Sequence, residues 1–225
     1  MRIPPMKRSR LQNLVRWLLP RLSHLQYQGL ENIPPDGPVI VVTNHLSQVD
    51  TPVLFINPIR PDITALVADK YRFDLFMRWF TESAGGIWID RSRADFGAFR
   101  AAQEVLHSGR VLGIAPEGTR SKTGGLLEGK SGSVLIAFKA GCPIVPVGQW
   151  GTEKFFSELG RFRRTHITCR FGPAFSFPPL ERENRDEMLQ QYTTEMMLRI
   201  AALLPEQYRG FYRDHPRLGE FLSDK

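Results

Sequence analysis

A short apolar run at residues 38–43 (PVIVVT) leads directly into Asn44, His45, Leu46, Ser47, Gln48, Val49 and Asp50. A histidine with a carboxylate five residues on contains the parts of a general base. The carboxylate accepts the N–H of one ring nitrogen, fixes the tautomer and steadies the imidazolium, while the other nitrogen is left to take a proton from a substrate. Along one continuous helix the two side chains would stand about 140° apart. They meet only if the chain turns after His45 and Asp50 falls in the first turn of a following helix. The spacing by itself is not distinctive, because His215 and Glu220 repeat it. What sets His45 apart is its place at the end of an apolar strand.

Two further strand ends carry ions. Residues 111–115 (VLGIA) empty into Pro116, Glu117, Gly118, Thr119, Arg120 and Ser121, where proline and glycine favour a tight turn and bring a carboxylate and a guanidinium together. Residues 86–90 (GIWID) run into Arg91, Ser92 and Arg93. Arginine offers a planar fork of donors suited to phosphate, and two such loops can converge on one anion. A surface turn closed by its own Glu–Arg pair is the plainer alternative at 117–120. Cys142 and Cys169 are too far apart for a CxxC metal or redox motif, and both read as core packing; neither a metal nor a nucleophilic cysteine is called for. Two cysteines fit a reducing, cytoplasmic setting better than a disulfide framework.

The elements that must position these residues are read from short β-branched runs separated by longer amphipathic stretches. Strands are expected near 38–43, 62–68, 86–90, 111–115, 143–148 and 166–171, and helices near 49–57, 73–83, 95–108, 131–140 and 184–203. The strands are apolar on both faces, which predicts an α/β fold: a mixed, mostly parallel central sheet covered by helices on both faces, with chemistry where strand ends open into loops. Phe76, Met77, Trp79 and Phe80, at helical spacing, read as core, and residues 161–164 (RFRR) as a solvated basic turn.

Residues 1–30 hold Arg2, Lys7, Arg8, Arg10, Arg16 and Arg21 and no acid, supplying +6 of the formal net charge of +7. The balance elsewhere is nearly neutral, so no nucleic-acid-binding body is expected. Leu11, Leu14, Val15, Leu18, Leu19, Leu22 and Leu25 form a stripe at helical spacing, with Pro20 expected to kink or break the helix. Such a helix either packs on the protein's own core or lies in an anionic membrane surface. The apolar run is too short to span a bilayer.

Four segments, NHLSQVD at 44–50, GGIWIDR at 85–91, PEGTRS at 116–121 and IVPV at 144–147, resemble in order the blocks of the glycerolipid acyltransferase family. The resemblance extends over roughly residues 30–210 and takes in Lys70, LLEGKSG at 126–132 and LLPEQYRGFY at 203–212. Trp88 stands where many members carry phenylalanine, a change that bears on packing near the acyl path. The resemblance implies that His45 is the base and Asp50 its orienting carboxylate. It also implies that Lys70, Arg91, Glu117, Gly118, Thr119 and Arg120 form the acceptor site for a glycerol phosphate. The activity implied is transfer of a fatty acyl group from acyl-CoA or acyl carrier protein, as co-substrate and without a further cofactor, to the free hydroxyl of 1-acyl-sn-glycerol-3-phosphate.

Rival expectations are the same chemistry on glycerol-3-phosphate, another lysophospholipid or a lyso-aminolipid, and a non-catalytic membrane-binding module. The organisation expected is a basic amphipathic membrane-association segment at 1–26, a catalytic domain at 27–210 and a tail at 211–225. A peripheral location on the cytoplasmic face of the cell membrane follows from this.

Overall fold

Alternate residues of one central strand feed two separate cores. In β2 (Val39–Thr43), Ile40 and Val42 face one hydrophobic cluster while Val39 and Val41 face another, and all five residues are buried. A strand covered on both faces needs no polar alternation, which is why its sequence reads as an unbroken apolar run. The computed structural model describes residues 4–90, 95–179 and 183–222.

Among the described residues, β2 belongs to a sheet with β1 (Ser23–Gln28), β3 (Thr64–Ala68), β4 (Ile87–Ile89), β5 (Val111–Ile114), β6 (Ile144–Trp150) and β7 (Thr165–Phe171). Their order across the sheet is β1-β7-β6-β2-β5-β3-β4. Every neighbouring pair is parallel except β6 with β7. The mixed, mostly parallel sheet is therefore as expected.

Helices α1 (Arg8–Leu22), α2 (Asp50–Phe55) and α3 (Leu75–Ala84) contribute Leu11, Leu19, Val53, Leu54, Phe80 and Ala84 to one cluster. On the other face α4 (Phe96–His107), α5 (Gly132–Ala140) and α7 (Arg185–Leu203) contribute Ala102, Leu106, Val134, Ile136, Met196 and Ile200. The short α6 (Phe155–Leu159) follows β6, and α8 (Leu218–Leu222) closes the described chain. Caps account for several boundaries. Asp74 accepts the N–H of Met77 (2.8 Å) and Asp95 that of Ala98 (2.9 Å), and α3 ends on Gly85 in the left-handed region at φ +70°.

The amino-terminal stripe packs on the protein's own core along part of its length. Leu11 and Leu19 are buried in the core, whereas Leu14, Trp17 and Leu18 of the same helix are exposed. Polar side chains fasten α1 to the sheet side of the molecule. Gln12 Nε2 donates to Pro61 O (2.6 Å), Arg8 donates to the carbonyls of Pro61, Ile63 and Ala84, and Ser83 Oγ accepts the N–H of Met6 (2.9 Å). Pro20 lies inside the helix, which runs on through it and ends two residues later.

Strand β1 was not expected, and the boundary drawn between residues 26 and 27 falls inside it. Its sequence, SHLQYQ, lacks the β-branched signal, and pairing with β7, from Ser23↔Thr165 to Gln28↔Arg170, makes it a strand. At the other end, Tyr212 and Leu218 of the segment drawn as a tail are buried in the α4/α5/α7 core. Leu11, at 1% exposure, tests the clasp. Leu11→Ala should cost about 2–4 kcal/mol of unfolding free energy in urea titration; an unchanged midpoint would mean that α1 lies loosely on the surface.

Candidate active site

The carboxyl ends of adjacent strands β2, β5 and β3 open toward one another, and the residues read as chemical sit there. After Thr43 the chain turns, and Asp50 starts α2, as the base geometry requires. His45 Nδ1 lies 2.7 Å from Asp50 Oδ2, and the same oxygen accepts the N–H groups of Leu46 (2.7 Å) and Ser47 (2.8 Å). Asp50 Oδ1 accepts the hydroxyl of Thr152, from the turn after β6. Asp50 is 2% exposed and acts as acceptor throughout, so the imidazole carries its proton on Nδ1 and leaves Nε2 as the proton acceptor.

The backbone of His45 is gripped from the β5 side. Its N–H donates to Glu117 Oε1 (2.7 Å) and its carbonyl accepts the N–H of Ser121 (2.8 Å). Glu117 Oε2 takes the N–H of Leu127 (2.8 Å). Glu117, expected at the acceptor, is thus 3% exposed and spent on backbone donors, and it does not line the cavity described below. Burial pushes its carboxyl up to about 7 against the opposing pull of the Leu127 and His45 N–H groups, and the nearby Asp50 charge adds to the rise. Asn44 is structural as well: its amide exchanges two 2.8 Å bonds with the backbone of Gln149 and pins the end of β2 to β6.

His45 and Asp50 stand on the wall of a cavity of about 430 Å³ whose lining is otherwise largely apolar. Leu11, Leu14 and Leu18 of α1 line one side, Phe76, Met77 and Trp79 of α3 another, and Phe155 and Phe156 of α6 a third. The α3 residues read as core all line this cavity, Phe80 while buried in the core cluster and Phe76 at 63% exposure. Helical spacing identifies an apolar face without saying whether protein or ligand covers it.

Cations rim the same cavity. Lys70 and Arg120 line it, as does Thr119. Between the two cations lies Tyr71, which sequence reasoning missed. Arg120 Nη2 donates to its hydroxyl (2.6 Å), and the Lys70 ammonium sits 5.2 Å from its ring centre. Gly118 holds the turn in the left-handed region (φ +69°), where a Cβ would come within 3.2 Å of Lys130 Nζ; like Glu117 it shapes the loop without lining the cavity. Arg91 lies outside the described residues. Trp88, half-buried on β4, stacks under the guanidinium of Arg72 at 5.4 Å. Cys142 and Cys169 are buried and free. Among the described residues no three His, Cys, Asp or Glu side chains gather where a metal ion could be held.

Residues 24–150 match the family described as Acyltransferase, a stretch that contains the His45–Asp50 pair, Lys70, Arg120 and strands β2 to β6. The chain belongs to this acyltransferase family. It is 34% identical over 130 residues to a 1-acyl-sn-glycerol-3-phosphate acyltransferase of Borreliella burgdorferi, covering 57% of this chain and 52% of that one. It is 27% identical over 203 residues to the 1-acyl-sn-glycerol-3-phosphate acyltransferase of Saccharomyces cerevisiae, covering 83% of this chain and 66% of the other. The crystal structure of the 1-acyl-sn-glycerophosphate (LPA) acyltransferase PlsC from Thermotoga maritima superposes with a TM-score of 0.60 at 27% identity, over 84% of this chain and 80% of that one. The acyltransferase chain spans about half the length of several of the curated relatives it matches.

The raised carboxyl of Glu117 gives this acyltransferase fold a signature in its stability. Between the ordinary 4.5 and about 7 the folded chain binds the Glu117 proton more tightly than the unfolded chain does, so this group's contribution to stability falls as pH rises through that window. Glu117→Gln should be destabilised by about 1–3 kcal/mol, because its amide meets one backbone N–H with a second donor. The gap between wild type and variant should narrow from pH 4.5 to 7 in urea unfolding; a gap independent of pH would contradict the assignment.

Proposed function

We propose that this chain moves a fatty acyl group from an acyl thioester to the free hydroxyl of 1-acyl-sn-glycerol-3-phosphate, giving phosphatidic acid. The observation that carries the reading is the His45–Asp50 pair on the wall of an apolar cavity whose rim holds Lys70 and Arg120. A lysophosphatidic acid has the matching parts: an acyl chain for the cavity, a phosphate for the cations and a hydroxyl between them. The resemblance to 1-acyl-sn-glycerol-3-phosphate acyltransferases supports that acceptor over the others.

His45 Nε2 takes the proton of the acceptor hydroxyl as its oxygen attacks the thioester carbonyl. The new C–O bond forms, the tetrahedral intermediate collapses, the C–S bond breaks, and the imidazolium returns the proton to the departing thiolate. Asp50 steadies the imidazolium in between, held in place by its own backbone and Thr152 donors. Acyl-CoA or acyl carrier protein serves as co-substrate, and no further cofactor enters the reaction as proposed.

Peripheral docking on the cytoplasmic face of a membrane completes the reading. Leu14, Trp17 and Leu18 of α1, Phe73, and Leu75 and Phe76 of α3 are exposed, and Leu14, Leu18 and Phe76 among them line the cavity, with Arg10, Arg16 and Lys7 exposed on the same amino-terminal segment. No described helix is long and apolar enough to cross a membrane. The two free thiols and a thioester donor suit the reducing side.

The test is product formation by the purified full-length chain from lysophosphatidic acid with acyl-CoA or acyl carrier protein, against a panel of other acceptors. His45→Ala should lower kcat by roughly a hundredfold to ten-thousandfold while the unfolding midpoint holds; near-normal turnover would end the general-base assignment. Arg120→Ala should raise the KM for lysophosphatidic acid about tenfold or more and leave the donor KM unchanged. Equal effects on both would remove Arg120 from the phosphate.

A further inference from the structure

Helix α6 ends in a turn that its own stability does not explain. The N–H of Arg163 donates to Glu158 O (2.9 Å) and that of Phe162 to Leu159 O (3.0 Å), the bond pair that closes a helix through a left-handed residue. That residue is Phe162, at φ +57°, the only described residue other than glycine with a positive φ. Glycine takes this conformation without steric penalty; a phenylalanine does not. Its side chain offers no compensation, because the residue is 100% exposed. The fold gains nothing from the ring.

The surroundings indicate what the ring meets. Arg161 and Arg163 flank it at 66% and 72% side-chain exposure and share one carboxylate, Glu158, at 3.0 and 3.5 Å, which leaves the turn net positive. Arg164 donates to Pro20 O (2.6 Å) and Ser23 O (2.8 Å), bolting the turn to the end of α1. Behind it, Phe155, Phe156 and Leu159 line the cavity, and Phe156 is itself 60% exposed. A projecting ring between cations, beside the apolar cavity, matches a surface with negative charge outside and hydrocarbon beneath. An acidic protein would satisfy the arginines but would leave the ring against a polar face.

We propose that the Phe162 turn is a wedge that enters the boundary between headgroups and acyl chains of an anionic bilayer, with Arg161 and Arg163 on lipid phosphates. The proposal rests on the membrane-surface reading above and adds a contact from the body of the domain, outside α1.

The test compares full-length wild type and Phe162→Gly by flotation with vesicles of phosphatidylglycerol and phosphatidylcholine, and with phosphatidylcholine alone. Phe162→Gly should unfold at the same or a higher temperature, partition about tenfold less onto the anionic vesicles, and turn over monomerically dispersed lysophosphatidic acid as wild type does. Because Cys142 and Cys169 are buried, Phe162→Cys can be labelled selectively with an environment-sensitive fluorophore, with the exposed Phe211→Cys as control. The label at 162 should shift to shorter wavelength on anionic vesicles and the label at 211 should not. Equal flotation of wild type and Phe162→Gly overturns the wedge alone, whereas failure of wild type to float overturns the membrane reading with it. A lower unfolding temperature, a loss of turnover on dispersed substrate, or a label at 162 that answers acyl carrier protein but not vesicles would also overturn the wedge.

Discussion

One buried carboxylate organises the site. Asp50 accepts the ring N–H of His45, the backbone N–H groups of Leu46 and Ser47, and the hydroxyl of Thr152. Each bond does a different job. The first sets the tautomer, the next two bend the loop so that a residue five positions away can be reached, and the last ties α2 to the far side of β6. A group at 2% exposure would be costly to leave charged without such partners, and a carboxylate has the lone pairs to take all four donors. The geometry of the base and the local fold are thus satisfied by the same two oxygens.

The sheet explains why these groups can meet. Neighbouring parallel strands deliver their loops to one edge, so residues near 45, 70 and 120 converge although the chain between them crosses the sheet repeatedly. The two faces differ in what they do. Around α4, α5 and α7 the side chains close into a solid core, with Met196, Met197 and Ile200 fully buried. On the opposite face, α1, α3 and the short α6 stand apart enough to leave the apolar cavity. Glu117 shows how such an edge is held. Its carboxylate bridges the His45 loop and the segment at Leu127, so it fixes the backbone beside the cavity without lining it.

The central fold was legible because β2, β5 and β6 are covered on both sides and write that burial into unbroken apolar runs. The His45–Asp50 pair was legible because its partners lie five residues apart, between the loop after β2 and the first residue of α2. Other parts left no local trace. Strand β1 takes its conformation from pairing with β7, some 140 residues away in the sequence, as its polar composition does not. Thr152 and Tyr71 are ordinary residue types whose roles arise from contacts across the fold. Glu117 was placed by sequence beside Arg120 as an acceptor ligand. Only the direction of its side chain, toward two amide hydrogens, separates a ligand from a strut. The apolar face of α3 was visible, but periodicity is the same whether the face meets a neighbouring helix or an empty cavity.

Helix α1 ends at Leu22 and strand β1 begins at Ser23, with no residue between them to act as a swivel. Because β1 is zipped to β7 in register over six residues, the helix has no hinge about which to tilt alone. Whatever surface α1 meets, the helix brings the whole sheet to it at a fixed angle. A tether would let the sheet edge that carries His45 wander over a hemisphere of orientations; on the proposed membrane-surface reading, this rigid mount gives it one.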